Sequence, residues 1–318
     1  MEILKRVKDT IDNAKAITIL SHLNPDADTL GTALGIYSLL IKDKSKKIEV
    51  VNASGHLPIY LDFLPYYQKI KNKIEYEDSL IITCDCGSLD RLGFDMTGRE
   101  IINIDHHKSN TMYGFINIVN AEYASASQVA FELFSHFYDI EKDTAQCFYT
   151  ALLSDTQYFT TSSVSEEVFH VAKTLISLGV KPAEVAYNLK QRNPLSALRL
   201  LEKALGSLTL RKDAKVATIA VTQDDIMATG ATIPDMEGLV DYAKSLATVE
   251  IAICAMELPS SIRISLRSKH VDISEVALAF GGGGHKVAAG FSFKQYSLQE
   301  SIDIILNKIE ELALFKVE

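Results

Sequence analysis

With 318 residues, the chain has room for two domains of ordinary size, and a length at which no disulfide or structural metal is needed to complete a core. Its 47% hydrophobic and 23% charged residues are those of a soluble globular protein. Asp and Glu outnumber Lys and Arg by 41 to 32, and the net charge of −9 argues against wrapping of long duplex nucleic acid while leaving short or mononucleotide substrates open.

Taken in chain order, the first half alternates compact apolar runs with helical patterns. AITIL (16–20) is followed by TLGTALGIYSLLI, in which Leu30, Leu34, Tyr37 and Ile41 recur at helical spacing, and then by KIEVV (47–51). SLIITC (79–84) and EIINI (100–104) are further β-branched runs of strand length. Strand, helix, strand in this order predicts an α/β fold whose N-terminal domain is built on a parallel sheet. Helical patterns follow at 126–138, 143–153 and 165–179, the first of them suited equally to a core or a homodimer face. From 183 to 206 the pattern is helical but broken at Asn193-Pro194. Beyond it, strands are expected at 215–221, 248–257 and 261–267, mixed with helices near 235–246, 272–280 and 297–313. The expected organisation is an α/β domain over 1–185, a helical linker over 186–206 and a smaller α/β domain over 207–318.

The opening MEILKRVKDT lacks the apolar core of a signal peptide, and no uncharged apolar run approaches the ~18 residues of a membrane span. Cys84, Cys86, Cys147 and Cys254 have no zinc-type spacing and read as buried, reduced thiols. A cytoplasmic protein without a membrane partner is expected.

Three strand runs stop where oxygen and imidazole ligands begin. AITIL leads to SHLNPDAD with His22, Asp26 and Asp28, SLIITC to Asp85, and EIINI to Asp105-His106-His107. In an open parallel sheet these carboxyl ends converge on one crevice. Asp155, at the end of an apolar helical stretch, is a fourth candidate. Taken singly, each motif has an ordinary explanation as a helix cap, a turn or a packed histidine pair. Their joint placement after three strands is the signal. Imidazole with several carboxylates suits a divalent transition ion such as Mn²⁺, and the ligands exceed the needs of one. Two ions roughly 3.5–4 Å apart, sharing a carboxylate, would use them all and activate water against a phosphoryl group. His56, His136, His170 and His270 stand outside any such constellation.

A second cluster lies at Gly281–Gly284 with His285, followed by Val287-Ala288-Ala289-Gly290. Glycines such as Gly283 and Gly284 let backbone N–H groups approach an anion, and a helix begun by the small residues after His285 would add positive potential. Arg267 can grip a phosphate with its guanidinium fork, and Ser268 can donate a hydroxyl bond.

These residues resemble the DHH phosphoesterases. The likeness is carried by HLNPDAD (22–28), Asp85 in DCGSLDRLG, Asp105-His106-His107 and Asp155 in SDTQ, with RSK (267–269) and GGGGHKVAAG (281–290) resembling the DHH-associated domain. The resemblance implies that 1–185 is the catalytic metal-binding domain and 207–318 the substrate-binding domain, with the active site in the interdomain cleft, and it implies two Mn²⁺ ions, with Mg²⁺ or Co²⁺ as alternatives. One would be held by His22, Asp26 and Asp85, the other by Asp28, Asp85, His106 and Asp155. It also implies that His107 contacts the scissile phosphate and helps the leaving oxygen depart, that Asp105 orients a histidine of the pair, and that Arg267, Ser268, Gly283, Gly284 and His285 bind substrate. Within the family, the two-domain members of this length are similar to the nanoRNase and 3′-phosphoadenosine 5′-phosphate phosphatase group, which points to short oligonucleotides or adenosine 3′,5′-bisphosphate-type nucleotides as substrates. Hydrolysis of cyclic di-AMP or pApA, a manganese inorganic pyrophosphatase, a RecJ-like exonuclease and a non-catalytic nucleotide sensor are the alternatives.

Overall fold

The computed structural model describes residues 2–314, which divide into two compact units between Arg192 and Asn193. The first unit runs α1 (Glu2–Asn13), β1 (Ala16–Ser21), α2 (Ala27–Leu40), β2 (Lys47–Asn52), β3 (Ile70–Lys71), β4 (Leu80–Cys84), β5 (Ile101–Asp105) and β6 (Ile116–Val119). Four helices follow, α3 (Ala126–Ser135), α4 (Lys142–Asp155), α5 (Glu166–Ser177) and α6 (Pro182–Lys190).

The expected parallel sheet is present, with six strands in the order β3-β2-β1-β4-β5-β6. Its central strands are buried almost along their whole length because both faces are covered. The two-residue period sends Ile17, Ile19, Ile82, Ile102 and Ile104 into the main core. Leu20, Ile81 and Ile101 go to a smaller cluster with Leu92 and Met96. Strand order reverses on either side of β1, so the crevice between β1 and β4 is the topological switch point. Register then sets the height of the ligands: Ser21 pairs with Cys84 and Cys84 with Ile104, so His22, Asp85 and Asp105 leave the sheet side by side.

Helix α2 is buried over its whole length, and glycine is what lets α4 lie against it. A Cβ on Gly31 would stand 2.7 Å from the Cys147 carbonyl oxygen, and one on Gly35 would stand 2.3 Å from Phe148 Cε1. The contact sets the N-terminus of α2, with Asp26 and Asp28, beside the C-terminus of α4, with Asp155. Gly31→Val is therefore expected to destabilise the protein by about 1–3 kcal/mol through overpacking against backbone. It should also weaken divalent-metal binding by displacing Asp155. Thermal melts with EDTA and with Mn²⁺ check both; unchanged melting in EDTA would contradict the tight contact. Helix α3, with Val129, Phe131, Leu133 and Phe134 buried, belongs to the core.

The helical stretch expected from 183 to 206 breaks at its proline: α6 ends at Lys190, and Pro194 is the N-cap of α7 (Leu195–Gly206). The second unit continues with β7 (Thr209–Arg211), β8 (Val216–Val221), α8 (Gln223–Thr229), α9 (Leu239–Lys244), β9 (Ile251–Leu258) and β10 (Ser261–Ser268). It closes with α10 (Ser274–Ala279), β11 (Gly283–His285), β12 (Ala288–Phe293) and α11 (Leu298–Glu311). The sheet order is β11-β12-β10-β9-β8-β7, mixed, with β8 and β9 parallel. Along β9, Ile251, Ile253 and Ala255 face a core shared with Ile302, Ile305 and Ile309 of α11. Ala252, Cys254 and Met256 face Leu200, Ala204, Leu239 and Val240 on the other side.

One local expectation is corrected. The residues after His285 form strand β12, antiparallel to β11 and β10, rather than a helix. Ala289, Phe291 and Phe293 alternate into the core, a period of two that no helix accommodates. The four cysteines are free and buried, and among the described residues no helix is long and apolar enough to cross a membrane.

Candidate metal centre

The loop after β1 carries its ligands into α2. Asp26 is the N-cap of α2, its Oδ1 accepting from the Thr29 amide at 2.9 Å. Asp28, in the first turn, accepts from Thr32 Oγ1 (3.1 Å) and from the amides of Ala126 (2.7 Å) and Ser127 (3.2 Å) at the start of α3. The ordinary capping role of aspartate is thus fulfilled here without exhausting the carboxylate lone pairs. Asp85 follows β4 with a left-handed backbone (φ 53°) and is buried. Asp105 ends β5, and Asp155 ends α4.

Carbonyl groups fix the histidine tautomers. His22 Nδ1 lies 2.8 Å from the Leu23 carbonyl oxygen and His106 Nδ1 3.2 Å from that of Tyr123. A carbonyl only accepts, so each Nδ1 carries a proton, and Nε2 is the ring nitrogen turned towards the carboxylates. His22 Nε2 is 3.6 Å from Asp85 Oδ2. His106 Nε2 is 3.7 Å from Asp28 Oδ2, 3.5 Å from Asp85 Oδ1 and 3.5 Å from Asp155 Oδ2. His107 differs, since its Nδ1 donates to Asp105 Oδ1 at 2.7 Å. That oxygen also accepts from the amides of His106 and His107.

Two donor groups result, His22–Asp26–Asp85 and Asp28–His106–Asp155, each with its donor atoms within 4.8 Å of one another. Asp85 reaches both through its two oxygens. All six candidate ligands from the sequence are brought together, and Asp105 and His107 adjoin them. His56, His136, His170 and His270 are exposed on the surface.

The residues fit a divalent cation on two grounds. Asp85 Oδ1 is buried without a hydrogen-bond partner. In addition, the Thr29 hydroxyl stands 2.7 Å from His22 Nε2, 3.0 Å from Asp26 Oδ1 and 2.7 Å from Asp85 Oδ2. One hydroxyl proton cannot serve both carboxylate oxygens, and the lone pair left over is one a cation takes. The charge balance agrees. Burial, together with the carboxylates of Asp85 and Asp155, holds Asp28 well above the usual range. Burial pushes Asp155 up to about 7, opposed by His106 and reinforced by Asp85. Burial also raises Asp85, but the imidazoles of His106 and His22 beside it, with that of His107, outweigh burial and hold the group well below the usual range.

Two residues of the centre have no place among the sequence candidates. Thr29 directly follows the Asp26-x-Asp28 pair, which is the one signal that could have found it. Asn110 donates through Nδ2 to Asp105 Oδ2 at 2.5 Å.

Residues 16–152 match the model of the DHH family N-terminal domain, and residues 213–313 match that of the DHHA1 domain. The chain belongs to the DHH family. In this DHH protein the eponymous triplet is Asp105-His106-His107, and as a DHH phosphoesterase it is a hydrolase acting on phosphate ester bonds. It is 28% identical to the bifunctional oligoribonuclease and PAP phosphatase NrnA of Thermus thermophilus, over 98% of this chain and 92% of that one. The Bacillus subtilis protein of the same name is 26% identical over 95% and 96% of the two chains. Among solved structures, an exopolyphosphatase-related protein from Bacteroides fragilis superposes with a TM-score of 0.88 at 26% identity, covering 98% of this chain and 96% of that one. RecJ from Thermus thermophilus, determined in complex with Mn²⁺, shares the fold at a TM-score of 0.57 and 14% identity, and 54% of its length is covered.

In the DHHA1 unit, Arg267 lies near the end of β10 with Nη1 donating to the Leu266 carbonyl at 3.0 Å. Its Nε has no hydrogen-bond partner and lies 3.7 Å from Asp241 Oδ1, an oxygen that Lys244 Nζ meets at 2.9 Å. Ser268 is buried, and its hydroxyl donates to the Val271 carbonyl, so it helps build the turn after β10. Strand alternation explains this, because Ser268 shares the inward face with Leu266 and Ile264 while Arg267 takes the other. The glycine run also divides by cause. Gly281 has φ +74°, and a Cβ on Gly282 or Gly284 would strike the backbone of Gly290 or Ala288 at 2.3 or 2.4 Å. A Cβ on Gly283 would meet nothing within 4 Å, so packing does not account for its missing side chain. His285 ends β11.

Proposed function

We propose that the protein is a manganese-dependent phosphoesterase that hydrolyses short oligoribonucleotides and removes the 3′-phosphate of adenosine 3′,5′-bisphosphate. The observation that carries the reading is a pair of donor groups joined by Asp85, whose Oδ1 is buried and unpartnered. His22, Asp26 and Asp85 would hold one Mn²⁺, and Asp28, Asp85, His106 and Asp155 the other. Bound there, the ions supply Lewis acidity towards the phosphoryl oxygens and acidify the attacking water. Full-length similarity to two proteins named as oligoribonuclease and PAP phosphatase supports the substrate class. The acidic net charge agrees with short substrates.

The chain's own contribution to the chemistry falls to His107. Its Nδ1 proton is held by Asp105, which favours the charged ring, and its Nε2 then gives a proton to the leaving oxygen. Burial lowers its proton affinity, but the Asp105 hydrogen bond and the neighbouring carboxylates win, and the net displacement is upward. The oxygen of water bonds to phosphorus, the opposite P–O bond breaks, and its electron pair stays on the leaving oxygen as the proton arrives. The proton shed by water passes to solvent, from which the ring is recharged.

Arg267, with its unused Nε donor, and the bare backbone at Gly283 are the groups proposed to bind a substrate phosphate. Arg267→Ala is expected to weaken substrate binding by ~1–3 kcal/mol, the loss of a charged hydrogen bond, with a smaller change in kcat. Steady-state kinetics check it, and an unchanged KM would remove Arg267 from the site.

The deciding experiment is turnover with Mn²⁺ on di- to pentaribonucleotides, the matching DNA series, adenosine 3′,5′-bisphosphate, cyclic di-AMP, pApA and pyrophosphate. Preference for short RNA or the bisphosphate supports the proposal. Preference for cyclic di-AMP would assign a signalling role; the cyclic-di-AMP phosphodiesterase PdeA of Listeria monocytogenes is 24% identical, with 49% of its length covered. Activity on none of them would leave a nucleotide-binding sensor.

A further inference from the structure

Asp105 holds His107, and something must hold Asp105. Its Oδ1 is occupied by three donors, the His106 and His107 amides and His107 Nδ1. Its Oδ2 receives one side-chain hydrogen bond, from Asn110 Nδ2 at 2.5 Å. The Asn110 amide cannot be turned over. Its Oδ1 accepts from the Met112 amide at 2.7 Å and from Asn103 Nδ2 at 2.9 Å, and a backbone N–H only donates. With that end fixed, Nδ2 faces three oxygens that accept, Asp105 Oδ2, the Cys86 carbonyl at 3.2 Å and, more distantly, Asn103 Oδ1 at 3.4 Å. Asn103 is itself tied to Asn117 Oδ1 at 3.0 Å and lies buried in β5. The loop after β5 is thus locked to the strand by three asparagines, and the free end of the lock grips the carboxylate behind His107.

We propose that Asn110 is a positioning residue, holding Asp105 in the rotamer that keeps the His107 proton on Nδ1 and aims Nε2 at the leaving oxygen. The inference rests on the role assigned to His107 above. Without Asn110, the carboxylate is released on one side and can rotate away from the ring. Metal binding is untouched, because the side-chain hydrogen bonds of Asn110 go to Asn103, Asp105, Cys86 and Met112 and to none of the six proposed ligands.

The leaving group separates this role from a general loosening of the loop. A diribonucleotide expels an alkoxide that needs a proton, whereas the p-nitrophenyl ester of thymidine 5′-phosphate expels a stable phenolate. For Asn110→Ala, kcat on the diribonucleotide is expected to fall about 10–100-fold, with a fall below about threefold on the p-nitrophenyl ester and in Mn²⁺ affinity. Asn110→Asp keeps the acceptor for Asn103 and Met112 while replacing the donor that faces Asp105, so it should behave alike even if the alanine variant folds poorly. Equal losses on both esters, or no loss on either, would overturn the proposal. His107→Gln tests the underlying reading separately: unchanged turnover of the diribonucleotide in that variant would discard the role of His107 itself. In metal-free protein, the hydrogen-bonded Nδ1 proton of His107 should give a downfield NMR signal that both Asn110 variants lose. Its persistence would equally overturn the inference.

Discussion

Replacing Asp85 is expected to abolish turnover and the binding of both ions. Asp85 Oδ2 faces His22 Nε2 at 3.6 Å and Oδ1 faces His106 Nε2 at 3.5 Å, so one carboxylate serves both donor groups. Loss of an outer partner of a metal ligand costs about 10–100-fold, and loss of a shared ligand should exceed that. Alanine alone would be ambiguous, because residue 85 has φ 53° and a left-handed alanine adds strain of about 1–2 kcal/mol. The change to asparagine removes the ambiguity, since asparagine tolerates this conformation and keeps an acceptor for Thr29. Asp85→Asn is therefore expected to fold normally, to bind Mn²⁺ weakly in calorimetry and to show no turnover. Two ions bound with parental turnover would remove Asp85 from its bridging position.

Asp155→Asn should have opposite effects with and without metal. The folded carboxyl is pushed up to about 7 from an ordinary value near 3.9, first by burial and then by Asp85. A carboxyl raised on folding costs nothing well below pH 4, where both states are protonated; the cost grows from about pH 4 to pH 7 and levels off above, where both are ionised. The side chain is 35% exposed, and screening by solvent brings the expected cost at pH 8 to ~1–3 kcal/mol. In EDTA, Asp155→Asn should thus be more stable than the parent at pH 8 and equal to it near pH 4. With saturating Mn²⁺ the order should reverse, because the parent gains about 2.7 kcal/mol at a hundredfold excess over Kd and the variant little. Urea unfolding at the two pH values, in EDTA and in Mn²⁺, checks the crossover. A variant less stable than the parent in EDTA at pH 8 would mean that the carboxylate is not strained in the metal-free protein.

How much of the fold and the centre is legible in the sequence depends on whether the signal is local. Strands β1, β2, β4 and β5 are rich in Ile, Val and Leu because both faces are covered, and the ends of β1, β4 and β5 are readable because ligands follow at once. Strands β3 and β7, with two and three residues, are too short to carry a period. Helix α1 has its signal in Val7 and Ile11, spaced by one turn and buried. The helix expected after His285 shows how small residues mislead: Ala288-Ala289-Gly290 suits a helix start by size, and the decisive alternation lies at Phe291 and Phe293. Ser268 resembles a phosphate donor because it neighbours Arg267, yet adjacent residues of a strand point to opposite faces. Thr29 and Asn110 act through contacts at Asp85 and Asp105, which proximity in sequence does not reveal.

A ribosome cannot deliver this centre piece by piece. In the sheet order β3-β2-β1-β4-β5-β6, β1 waits for β4, so Ile17 finds its partner Leu80 only after many intervening residues have been made. Asp155 arrives later still. At about 5–20 residues per second, the stretch from His22 to Asp155 takes on the order of ten seconds to synthesise. Throughout that interval the nascent chain holds scattered carboxylates and an apolar strand in need of shelter, and offers no assembled ion cage. A donor set of this kind is complete only once the sheet has closed, so retention of a divalent cation would report a finished fold.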